Sequence, residues 1–130
     1  TLSGNPQAMA AGIATLRELM AREGEIYAGL ERTTAAIADG VAAIAREAGV
    51  PLTVNRVGSM FTWFFTGAPV TDFAGAAQSD TAAFGRFHRA MLEAGVWLPP
   101  SQFEAAFVST AHGEREVAAT LEAARGALKR

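Results

Sequence analysis

The stretch MFTWFFT, residues 60–66, constrains the fold more than any other part of the chain. Aromatic residues dominate it, as they do in strands. A strand's alternation sets Phe61, Trp63 and Phe65 on one face and Met60, Thr62, Phe64 and Thr66 on the other. Both faces carry apolar bulk, so the strand belongs in a covered layer. TVNRVGS, residues 53–59, reads as a second strand. Gly58–Ser59 then forms a bulge or a tight bend between the two.

The flanking segments read as helices. Asn5 caps a first helix, with Pro6 at its first position, and Met9, Ile13, Leu16 and Met20 follow at helical spacing. This helix is predicted to run to about Arg22. After a break near Glu23–Gly24, Ile26, Leu30, Ile37, Val41 and Ile44 form the stripe of a second helix. That helix ends at Gly49, with Pro51 beyond it. Residues 67–78 read as a loop. Ser79 or Asp80 caps a third helix, with Phe84, Phe87, Met91 and Leu92 inward and Gly95 at its end. Residues 96–110 read as a short strand, a Pro-Pro corner and a return strand around 106–109. Gly113 caps the last helix, with Glu114 and Glu116 in its positive first turn and Val117, Leu121, Ala124 and Leu128 on its buried face. The order is ααββαββα. The fold class is α+β, with an antiparallel sheet of about 3–4 strands covered by helices.

Several functions are excluded on composition. The net charge is −2, so there is no electrostatic case for nucleic acid or an acidic membrane. There is no Cys, which removes disulfides, thiolate metal sites and cysteine nucleophiles. No apolar run approaches the roughly 20 residues that span a bilayer. No signal-peptide pattern opens the chain, and a cytoplasmic location is expected. At 130 residues the chain is long enough for one domain with a core.

Familiar catalytic constellations are absent. There is no phosphate-cradling GxxxxGK motif and no G-x-S-x-G elbow. His88 and His112 fall on different elements and share no metal-ligand spacing with a carboxylate. His88 reads as a core or edge histidine, and His112 as a cap or loop residue. Two stretches stand out. Thr1-Leu2-Ser3-Gly4-Asn5 combines hydroxyls with free backbone N–H groups at a helix start, which suits an anion; its plain alternative is a capping turn. Pro99-Pro100-Ser101-Gln102-Phe103-Glu104 is a stiff polar corner that presents Ser101, Gln102 and Glu104; its plain alternative is an exposed turn.

Three stretches taken together carry a resemblance: residues 1–19 (TLSGNPQAMAAGIATLREL), residues 55–66 (NRVGSMFTWFFT) and residues 69–114, which contain LPPSQFEAAFVSTAH. The chain resembles the C-terminal portion of the glutamate-1-semialdehyde 2,1-aminomutases, within the class III pyridoxal-phosphate aminotransferases. TLSGNP is shared more widely in that class, whereas LPPSQFEAAFVSTAH is the specific motif. Gln7 and Trp63 are departures of detail.

The resemblance implies a fold-type I pyridoxal-phosphate enzyme. Residues 1–24 would be a linking segment and helix from a large domain, and residues 25–130 the small C-terminal domain. It implies conversion of glutamate 1-semialdehyde to 5-aminolevulinate in tetrapyrrole biosynthesis, by a homodimer. The implied partners are the chain's own large domain and a second subunit, with no nucleic acid and no membrane. It also implies that Thr1 reaches the phosphate of the other subunit's pyridoxal phosphate. Glu104 would face the substrate entrance and be able to pair with an arginine of the large domain, with Ser101 assisting.

The chemistry needs a buried lysine to hold the cofactor. The sole lysine here is Lys129, one residue from the end of the sequence. No catalytic residue is therefore expected among these 130 residues, nor binding of the cofactor or activity by them alone. Two rival readings remain: a sister class III aminotransferase, which would not be expected to carry LPPSQFEAAF, and a stand-alone module that binds a partner through its apolar first helix.

Overall fold

Asn5 starts the first helix as its sequence predicts, its Oδ1 accepting from the Ala8 N–H at 3.0 Å. In the computed structural model, which describes residues 3–129, this helix is α1 (Pro6–Ala21). It buries none of its residues, and Met9, Ile13, Leu16 and Met20 are all exposed. The break comes at Arg22, whose backbone leaves helical geometry at φ −123° and ψ 26°. The Arg22 guanidinium bonds Glu18 on one side and Glu25 on the other. Helix α2 (Glu23–Glu47) follows and buries Ile26, Ile37, Val41 and Ile44.

Strands β1 (Thr53–Val57) and β2 (Met60–Phe64) form an antiparallel hairpin closing at Val57↔Met60. The connection is the two residues Gly58 and Ser59. Gly58 takes φ +55°, a conformation that strongly favours glycine. On one face of β2, Phe61, Trp63 and the following Phe65 enter the main core with α2, Phe84, Phe87 and Met91. On the other face, Phe64 joins Val70 and Ala76 in a second small cluster. The two-faced reading of MFTWFFT is borne out. Trp63 Nε1 also donates to the Ala38 carbonyl at 3.2 Å, satisfying its polar atom in the interior.

The segment 67–78 is not purely a loop. It contains one helical turn, α3 (Phe73–Ala76), started by Asp72, whose Oδ1 accepts from the Gly75 N–H at 2.7 Å. Helix α4 (Thr81–Glu93) is capped by Asp80, bonded to the Ala83 N–H at 2.8 Å. Phe84, Phe87 and Met91 point inward, but Leu92 is exposed. One residue beyond Met91, it lies about 100° further round the helix and off the buried stripe.

Residues 96–98 form no strand. The two prolines behind them lack N–H donors, and the Leu98 carbonyl is taken by His88 Nε2 at 3.2 Å. The return strand β3 is short (Ala106–Phe107), pairing with β2 at Met60↔Phe107 and Phe61↔Ala106. The sheet therefore has three antiparallel strands in the order β1-β2-β3, not four. Helix α5 (Glu114–Leu128) closes the core against α2 and α4. Gly40 of α2 meets it closely, since a Cβ there would lie 2.7 Å from Leu121 Cδ2. The observed order is ααββααβα, an α+β fold with the helices α2, α4 and α5 packed on one face of the sheet.

Candidate functional site

The corner between α4 and β3 is built on apolar anchors. Leu98 is buried and held by His88 upstream. Downstream, the ladder to β2 fixes Ala106 and Phe107, and the Val108 N–H donates to the Ser59 carbonyl at 2.9 Å. Between these anchors Ser101 organises a turn. Its Oγ accepts from the Phe103 N–H at 3.2 Å, and its carbonyl accepts from the Glu104 N–H at 3.1 Å.

Glu104 emerges exposed from this turn and, among the described residues, makes no ion pair. Its backbone carbonyl accepts from Thr62 Oγ1 at 3.4 Å, a long bond. Glu104 borders an open groove of about 280 Å³. Trp97, Pro99, Phe107, His112 and Thr120 are among the other walls. Trp97 is 85% exposed and Phe107 66%, an unusual aromatic exposure beside a carboxylate. In charge and shape the groove suits a cationic group: the carboxylate attracts it and the ring faces favour it.

The sequence-predicted residues fall unevenly. Ser101 and Glu104 come together on one turn, and both border a smaller cavity of about 20 Å³ beneath it. Thr1 lies outside the described residues. His112 is a loop residue, its Nδ1 accepting from the Ser109 N–H at 3.0 Å. Lys129 is exposed at the end of α5. Gln102 departs most from expectation. It was expected on the presented face of the corner but is 2% exposed, and both amide atoms lack a protein partner. No sequence signal marks this inward turn, because the corner has no alternation to read. Among the described residues no cluster of ligating side chains could hold a metal. Among the described residues no helix is long and apolar enough to cross a membrane.

Pyridoxal phosphate does not fit these residues alone. It needs a desolvated amine, and the one lysine is solvent-exposed at a helix end.

No protein-family model matches the chain. An omega-transaminase from Sphaerobacter thermophilus is 31% identical over 97% of this chain and 28% of its own, with a TM-score of 0.85. A transaminase solved with pyridoxal phosphate bound is 27% identical over 95% of this chain and 27% of its own, at a TM-score of 0.74. These neighbours define the class: the chain has the architecture of part of a fold-type I aminotransferase. Its sequence is 59% identical over 125 residues to the glutamate-1-semialdehyde 2,1-aminomutase of Acidobacterium capsulatum, covering 96% of this chain and 29% of the relative. Within that class, the chain's sequence is similar to the C-terminal part of the glutamate-1-semialdehyde 2,1-aminomutases. It spans less than a third of the length of the curated relatives it matches.

Proposed function

We propose that this chain is the C-terminal portion of a pyridoxal-phosphate enzyme that isomerises glutamate 1-semialdehyde to 5-aminolevulinate for tetrapyrrole synthesis. The observation that carries the reading is the 59% identity to an aminomutase across nearly the whole chain. It is supported by the LPPSQFEAAFVSTAH corner, which folds here into a turn that offers an unpaired carboxylate. Residues 1–24 serve as the link to a large domain and residues 25–130 as the small domain. That α1 buries none of its residues suits a linking helix.

In the complete enzyme pyridoxal phosphate supplies the electron sink for moving an amino group between neighbouring carbons. This chain's share is positional. Glu104 sets a negative charge at the substrate entrance, where it meets a substrate ammonium or an arginine of the large domain. Ser101 holds the turn beneath it. Thr1 gives a hydroxyl and an N–H to the cofactor phosphate of the second subunit in a homodimer. The isolated chain lacks the amine that the cofactor requires and is inactive, and the enzyme works in the cytoplasm.

The deciding experiment has two parts. Blotting with an antibody to this chain gives the mass of the polypeptide in its own cells, expected to be several times 13.6 kDa. The purified polypeptide is then supplied with glutamate 1-semialdehyde and no keto acid. An aminomutase forms 5-aminolevulinate, because it needs no second substrate. A transaminase like the Sphaerobacter neighbour would stall, and a native band at 13.6 kDa would defeat the reading outright.

A further inference from the structure

Gln102 stands apart from every other side chain of the corner. Its carboxamide can donate two hydrogen bonds and accept two. Both atoms are buried among Phe61, Phe84 and Leu98, with no protein partner. An unpaired amide in apolar surroundings is strongly disfavoured, so such a group needs a mate from outside the chain's own atoms.

The cavity it borders limits what that mate can be. Its volume is about 20 Å³. One water needs about 10–15 Å³, together with two to four polar partners. A carboxylate, phosphate or ammonium group on a carbon frame is too large. Thr62, Ser101 and Glu104 border the same space, so residues of β2 and of the turn line it together with Gln102.

We propose that one ordered water occupies this cavity, bound by the Gln102 carboxamide, and that it fastens the Ser101–Glu104 turn to β2. The direct tie across this gap is weak, since the Thr62 hydroxyl reaches the Glu104 carbonyl only at 3.4 Å. His88 and the β3 ladder hold the two ends of the corner but leave its middle to Gln102. Water-mediated bonds are nearly as favourable as direct ones and suit a gap of this width. Gln102 is thus a positioning residue. It acts through the water on the backbone that carries Glu104. Only the bearing on catalysis rests on the aminomutase reading; the water site does not.

The test uses the full natural polypeptide. A crystal structure at a resolution that shows ordered solvent is expected to place one water within hydrogen-bond distance of Gln102 Oε1 or Nε2. Amide exchange then reads the fastening. Gln102→Leu is expected to speed exchange at the Phe103 and Glu104 amides about five- to tenfold, the range for losing one net hydrogen bond. The core amides of α2 keep their protection. A Gln102 amide bonded directly to protein groups, with no water beside it, overturns the proposal. So does unchanged exchange at Phe103 and Glu104. Should the leucine variant not fold, Gln102→Met gives the same comparison, and the wild-type crystal structure decides the water on its own. Semialdehyde isomerisation by the wild type is assayed separately, so loss of the aminomutase reading would leave the water result standing.

Discussion

Trp63 is buried in the main core and held there by rings on two sides and by a hydrogen bond. Its ring lies 4.6 Å from Phe61 and meets Phe87 edge-on at 5.8 Å, and its N–H is bonded to Ala38. Trp63→Ala empties that volume, and the surrounding helices can only partly collapse into it. The expected loss is about 3–5 kcal/mol of unfolding free energy, read from urea midpoints. A loss below about 1 kcal/mol would mean that the ring sits on the surface. Glu104 makes the opposite kind of prediction. It is exposed and touches nothing that stabilises the fold, so Glu104→Gln should leave the unfolding midpoint unchanged. In the complete enzyme it should raise KM about tenfold, as loss of a charge-assisted contact does. An unaltered KM would remove Glu104 from the substrate entrance. Trp63 and Glu104 were both legible in the sequence, one through period-two alternation and the other through its place after Pro-Pro. Gln102 was not. Its direction depends on how Ser101 closes the turn, and residue type alone gives glutamine no inward preference.

At the scale of elements, caps mark the helix starts most clearly. Asn5 and Gly113 each begin the helix their sequence predicts, and of the two candidates Ser79 and Asp80 it is Asp80 that caps α4. Asp72 has the same chemistry, yet its segment reads as a loop. Its helix α3 is a single turn, too short to show any periodicity. The strand expected at 96–98 failed for a related reason. Val96 and Leu98 have strand-like side chains, but the Val96 N–H donates to the Met91 carbonyl and the Leu98 carbonyl is taken by His88, so neither bonds a sheet edge.

The start of α5 predicts a pH effect. Glu116 Oε2 accepts from the Gly113 N–H at 2.9 Å, and the Arg115 guanidinium beside it pairs with Oε1. The Arg115 bond first, and the Gly113 bond second, hold the Glu116 carboxyl below the usual carboxylate range. A carboxyl lowered in the folded state stabilises above its unfolded pKa, and the contribution vanishes as pH falls through the folded value. Wild type should therefore exceed Glu116→Gln in stability at neutral pH, and the two curves should converge below about pH 4. Curves that run parallel through the acid range would show that the carboxylate does not cap α5. Asp80→Ala tests a cap deeper in the fold. Its helix carries Phe84, Phe87 and Met91 into the core, so the loss of about 1 kcal/mol should appear in global unfolding.

For the molecule as a whole, the contrast lies between α1 and the rest. Helices α2, α4 and α5 and the sheet share one continuous core, whereas α1 adds no buried residue to it. The ion pairs of Arg22 with Glu18 and Glu25 join the two parts, but all three side chains are well exposed, and such pairs contribute little. Deleting residues 1–21 should therefore shift the melting temperature by no more than about 2 °C. The stripe of Met9, Ile13, Leu16 and Met20 has the opposite significance for association. It is a row of large apolar side chains facing water on a helix with nothing packed over them. The 130-residue chain alone should self-associate at high concentration through this row. Sedimentation should show the association weakening when Ile13 and Leu16 become Glu, with the melting temperature unchanged. A chain that stays strictly monomeric would show that the stripe is tolerated in water, and α1 would then need no large domain to explain its apolar face. A sharp fall in melting temperature on deletion would instead make α1 part of the small domain's own core, and the boundary near residue 24 would have to move.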